Sequence, residues 1–76
     1  SASQLAGQGA PVERNSLSPG DLVFFAASDV PGRITHVGIY LSGNEFAHAS
    51  SKYGVTTAKI TDKYYVKRFV TARRLF

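Results

Sequence analysis

The chain, 76 residues long, contains no cysteine. That excludes disulfides and thiolate metal sites, and it leaves the redox compartment open. Long apolar runs are missing too. The longest, residues 22–27, falls far short of the ~20 residues that cross a bilayer as a helix. Residues 1–9 have neither a basic start nor an apolar stretch, so no signal peptide is visible and any export signal is expected upstream. No serine stands in an obvious nucleophile setting. Acidic residues are few, five against nine Lys and Arg. Internal repeats and low-complexity tracts are absent.

What is present suits a small folded unit. The hydrophobic content of 43% and charged content of 18% are those of a soluble globular protein rather than a disordered one. A chain this short buries only about 60% of its unfolded surface, so its core is marginal. Five Phe and four Tyr supply large apolar bodies to fill it.

The net charge of +4 invites a nucleic-acid reading. Lys63, Lys67, Arg68, Arg73 and Arg74 gather the basic charge near the end. The alternative is a solvated face that meets an anionic surface such as a bacterial envelope. No base-stacking aromatic motif or helix-turn-helix signal accompanies the charge. No nucleic-acid partner is therefore expected.

Along the chain, residues 1–9 read as a loop or frayed helix end, and 12–18 as an extended connector after Pro11. Ser18-Pro19-Gly20-Asp21 is a turn signal, since Pro fixes φ and Gly accepts positive φ. Residues 22–26 (LVFFA) form a short apolar run whose β-branched and aromatic content predicts a strand buried on both faces. A loop is expected over 28–33, with Pro31-Gly32 in it. A strand is expected over 34–41, a turn at 42–44 and a returning strand over 45–49. After a loop at 50–54, residues 55–60 alternate as a strand. Thr61 is placed to cap a short helix running to Lys67 or Arg68, with Asp62 in its first turn and basic residues in its last. Residues 69–75 close as a strand. The fold class is α+β, a mainly antiparallel sheet of about five strands with one short helix.

Both histidines of the chain, His36 and His48, lie on the expected hairpin. A three-residue loop at 42–44 pairs Leu41 with Glu45 and Gly38 with His48. His36 is then a diagonal neighbour of His48 on one face, with Cβ atoms up to ~7–8 Å apart. A two-residue Gly-Asn loop would put the rings on opposite faces. On one face the pair has three readings. Each imidazole satisfies a backbone group, or the two bind a metal, or one is a base that the other orients. For a metal, two ligands are too few and no Asp or Glu stands at a convincing third position, so no metal or other cofactor is expected. The base reading needs a nucleophile that this chain lacks.

The run PGDLVFF (19–25), the stretch HVGIY (36–40), the segment EFAHAS (45–50) and the tail KRFVTARR (67–74) resemble the NlpC family of bacterial cell-wall cysteine peptidases. The match covers nearly the whole chain in order and spacing. It implies the sheet half of a papain-like domain, with 1–18 as connector and 19–76 as sheet. His36 matches the family's base and His48 its orienting residue. The cysteine belongs to a helix ahead of the sheet, outside this chain, so the chain alone is expected to be inactive. The resemblance also implies that His48 holds Nδ1 of His36, leaving Nε2 to face sulfur. Gly38, inside a strand, marks a bulge or a close approach by another group, and the resemblance implies that it leaves room for the cysteine-bearing helix. A sheet without that helix should expose apolar surface. The partners implied are peptidoglycan peptides and the cysteine-bearing segment, as another chain or a swapped copy, in a secreted or envelope setting. The alternative is a non-catalytic module that keeps the sheet to grip cell-wall peptides or a protein.

Overall fold

A computed structural model describes residues 1–27 and 30–76. Strands β1 (Ala10–Val12), β2 (Leu22–Ala26), β3 (Ile34–Ser42), β4 (Glu45–Ser50), β5 (Gly54–Lys59) and β6 (Phe69–Arg74) form one antiparallel sheet in the order β1-β6-β2-β3-β4-β5. Two short helices, α1 (Ala2–Leu5) and α2 (Lys63–Arg68), accompany it. The α+β class and the antiparallel sheet are as expected; the strand count is six rather than about five.

The sixth strand is β1, inside the stretch read as connector. It is three residues long, contains Pro11 and lies at the sheet edge against β6. Proline is tolerated at an edge, where its missing N–H removes no ladder bond, and so short a piece has no readable period. The helix α1 does carry a local signal. Ser1 Oγ accepts from Gln4 N while Gln4 Oε1 accepts from the Ser1 amine, a capping box.

The apolar run 22–26 behaves as expected. Val23, Phe24 and Phe25 are all buried, and because side chains alternate they fill both faces. On one face Val23, Phe25, Tyr40, Phe46, Ile60 and Ala72 form the core, with Tyr65 and Phe69 packed against it. The turn ahead of β2 is docked from both ends. Ser18 N donates to Asp21 Oδ2 at 2.8 Å, and Gly20 N and Asp21 O bond the backbone of Tyr40. Asp21 is buried, and Arg74 clasps its carboxylate with Nε and a terminal nitrogen, both at 2.9 Å.

Helix α2 starts one residue later than expected. Asp62 rather than Thr61 is its cap, accepting from Tyr64 N at 2.9 Å. A carboxylate that caps also faces the positive end of the helix, an advantage a hydroxyl lacks. Lys67 and Arg68 occupy the last turn, as expected. Of the loop expected at 28–33, residues 28 and 29 lie outside the described residues.

The face opposite the core is partly bare. Leu22, Val37, Ala47 and Ala49 line an apolar groove with Leu5, Ile39 and Val55, the last two being 48% and 83% exposed. Apolar surface is therefore exposed on this face.

Candidate active site

The β3–β4 hairpin sets which way the two histidines point. Its turn is a two-residue Gly43-Asn44 loop with φ of 57° and 69°, so Ser42 pairs with Glu45. Asn44 tolerates that left-handed conformation better than most residues, and Tyr40 Oη accepts its N–H at 3.0 Å. Alone, this loop would have separated the rings, as the sequence reading anticipated for it. Instead the ladder slips between Tyr40 and Ser42, leaving Leu41 as an extra residue, and Tyr40 pairs with Phe46 and Ile39 with Ala47. The bulge restores the parity that a three-residue loop would have provided. His36 and His48 therefore share the core face.

There they touch. His36 Nε2 lies 2.8 Å from His48 Nδ1, with ring planes at 88° and centroids 5.0 Å apart. The nitrogen of His36 that meets His48 is thus Nε2, not the expected Nδ1. Nε2 is at the far end of the ring and reaches across the diagonal between strands, whereas Nδ1 sits near the ring's root. If Nε2 of His36 donates, its Nδ1 keeps a lone pair and is the basic nitrogen. If His48 Nδ1 donates, His36 Nδ1 carries the proton and His36 is no base.

Aromatic rings fix both imidazoles. Phe25 lies 6.4 Å from His36, Phe46 lies 5.1 Å from His48, and Tyr65 of α2 stands edge-on to His48 at 5.8 Å. Burial holds both histidines below their ordinary pKa, and for His48 the neighbouring His36 adds to the effect. Both imidazoles thus favour the neutral form at pH 7, as a proton acceptor must. Burial, chiefly, raises the Tyr65 phenol, which stays protonated.

Gly38 marks a close approach by another group, as one of its expected readings had it, and not a bulge. A Cβ there would lie 2.5 Å from Phe46 Cδ2 and 3.0 Å from Ala47 O, so the space is taken by the Phe46 ring of the same hairpin. The slip in the hairpin is at Leu41 instead.

A cleft of about 370 Å³ opens over the pair, lined also by Thr35, Ser50, Tyr64, Tyr65 and Arg68. The residues from α2 went unnoticed in the sequence, where Tyr64-Tyr65 reads only as helix surface and core. Among the described residues no cluster of three His, Cys, Asp or Glu side chains could hold a metal.

The sequence profile of the NlpC/P60 family matches residues 1–74. The chain is 45% identical over 67 residues to the Escherichia coli K12 protein named murein DD-endopeptidase MepS/murein LD-carboxypeptidase, covering 88% of this chain and 34% of that protein. It is 40% identical over 72 residues to the probable endopeptidase NlpC of the same organism, covering 95% of this chain and 46% of that one. The solved structure of NlpC2 from Trichomonas vaginalis superposes with a TM-score of 0.86 at 28% identity, over 97% of this chain and 29% of that one. This chain belongs to the NlpC/P60 family. It spans less than half the length of these relatives.

Proposed function

We propose that residues 1–76 are the sheet portion of a single peptidase domain. That domain cleaves peptide stems of peptidoglycan by thiolate attack. The observation that carries this reading is the 2.8 Å contact between two half-buried imidazoles at a cleft. His36 is the base and His48 orients it. Since the chain has no thiol, the nucleophile comes from a segment outside these residues, in the same polypeptide or in another.

The chemistry explains each residue type. A free thiol has a pKa near ~8.5, and pairing with an imidazolium brings it to ~3–4 in papain. Nδ1 of His36 takes the thiol proton. The thiolate sulfur bonds the carbonyl carbon, the C–N bond breaks, and the same proton passes to the leaving amine. Water, deprotonated by His36, then releases the acyl group. His48 accepts from Nε2 throughout, which holds the productive tautomer. A peptidoglycan substrate places the protein in the cell envelope or outside the cell.

The second reading is a binding module without catalysis, favoured by the lack of cysteine among all 76 residues. Cleavage assays decide between them. Residues 1–76 alone should not cut stem peptides. Joined or mixed with the thiol-bearing segment they should, and a thiol alkylating agent should abolish the activity. Turnover by the chain alone, or activity that survives alkylation, would refute the proposal.

A further inference from the structure

Arg68 is the one formally charged side chain among the described residues that line the cleft with His36 and His48. It closes α2, and its position is held in two ways. One terminal nitrogen donates to Tyr64 O at 2.9 Å, and the guanidinium carbon lies 3.7 Å above the Tyr64 ring. The first contact caps the helix and the second is a close cation–π stack. Together they use one N–H and one face of the group.

Neither contact accounts for Nε, which is buried and has no hydrogen-bond partner among the described residues. A buried, unpaired N–H costs free energy and asks for a reason. Stability alone would let so long a side chain swing into water, where Nε would be satisfied. Instead the guanidinium is kept over Tyr64, and its second terminal nitrogen forms no hydrogen bond among the described residues. Arg74 shows what a guanidinium binds in this protein, the carboxylate of Asp21 at 2.9 Å. At Arg68, burial closes off Nε and Tyr64 O holds one terminal nitrogen, so the second terminal nitrogen is the one left for such a group. Arg73 Nε is likewise buried and without a partner among the described residues, but Arg73 does not line the cleft.

Rings connect the two ends of the cleft. Tyr65 stands 5.8 Å from His48 and 4.9 Å from Tyr64, over which Arg68 lies. Two aromatic rings thus lie between the guanidinium and the imidazole pair, and these steps bound the distance from above at what about four residues of an extended peptide cover at ~3.3 Å each. We infer that Arg68 is a substrate-binding residue that holds a free carboxylate of the peptide a few residues from the bond cut at His36. The inference rests on the peptidase reading above. Stem peptides offer such a group at the C-terminus and at the α-carboxylate of γ-linked D-glutamate.

The test uses the parent protein with its thiol segment and three synthetic stem tetrapeptides. One carries all its free acids, one a C-terminal carboxamide, and one an amidated glutamyl α-carboxylate. Arg68→Gln should lower kcat/KM for the all-acid peptide by about 10- to 100-fold, mostly through KM, as expected for a lost charge-assisted bond. Wild type should show a similar loss on one amidated peptide, which identifies the carboxylate, and Arg68→Gln should add nothing further there. Arg68→Lys keeps the charge without the planar fork and should fall between, which covers the case where the Gln variant fails to fold. Titration of the thiol-alkylated protein with the same peptides gives a binding readout independent of cleavage. If wild type cleaves nothing but still binds acid over amide through Arg68, the peptidase reading fails and the subsite stands. Equal handling of all three peptides by wild type, or equal losses for Arg68→Gln on all three, would overturn the subsite.

Discussion

Replacing Gly38 with alanine puts a methyl group where the Phe46 ring lies. The added carbon would sit 2.5 Å from Phe46 Cδ2, 3.2 Å from Cε2 and 3.0 Å from Ala47 O. Phe46 has no room to retreat. It is fully buried and packs on Phe25 at 5.0 Å, Tyr65 at 4.9 Å and His48 at 5.1 Å. Gly38 is not in the left-handed region, so the backbone tolerates alanine and the cost is steric. Overpacking of this kind costs about 1–3 kcal/mol. Removing a glycine's freedom in the unfolded chain returns about 0.4–1 kcal/mol. The net expectation is a loss of about 1.5 kcal/mol, or a fall of about 1 M in the urea midpoint if m is near ~1.5 kcal/mol/M. Because Phe46 contacts His48, the variant should also displace the His48 ring signals in NMR spectra. Adding Phe46→Leu removes the ring atoms that the methyl meets, so the double variant should lose less than the sum of the singles. A stability change under about 0.5 kcal/mol for Gly38→Ala, or strict additivity with Phe46→Leu, would refute the packing argument.

In the thiol-containing protein His36→Ala should lower kcat by about 10²-fold or more, since general acid–base groups contribute on that scale. His48→Ala should cost less, and His48→Gln less again, because an amide oxygen still accepts from Nε2; steady-state kinetics of the three variants checks the order. Burial holds both imidazole pKa values below about 6.5, so between the lowered values and 6.5 the unfolded chain binds more protons than the folded one. Stability should therefore fall as pH drops through that window and level off beneath it, and replacing both histidines with Gln should flatten that part of a denaturation-versus-pH profile. The hydrogen bonds from Arg74 hold the Asp21 carboxyl below its ordinary range, so its contribution is present above about pH 3.8 and lost as pH falls through the lowered value. Asp21→Asn should lower the urea midpoint at neutral pH and leave a shallower acid limb.

Much of this arrangement was readable in the residues, and what was not has definite causes. The run LVFFA at 22–26 declares a buried strand because nothing in it suits water, and α2 declares itself by its acidic start and basic end. The histidine hairpin was visible as an element, but its parity was not. Gly43 and Asn44 both adopt positive φ, and only the slip at Leu41 brings the rings to one face. That slip has no local signature, since Leu41 looks like any strand residue. Strand β1 is short and interrupted by Pro11, and it exists because β6 offers an edge. Which nitrogen of His36 meets His48 depends on the ring rotamer that His36 adopts beside Phe25. The place of Tyr65 and Arg68 at the cleft depends on where α2 docks, which no local pattern encodes.

The central claim is that His36, held through Nε2 by His48, lowers the pKa of a thiol brought to the cleft. The rate of thiol alkylation against pH, measured in the thiol-containing protein and in its His36→Ala variant, tests it directly. The account predicts an inflection well below the ~8.5 of a free thiol in the wild type and a return toward ~8.5 when His36 is removed. Identical profiles for the two proteins would contradict it.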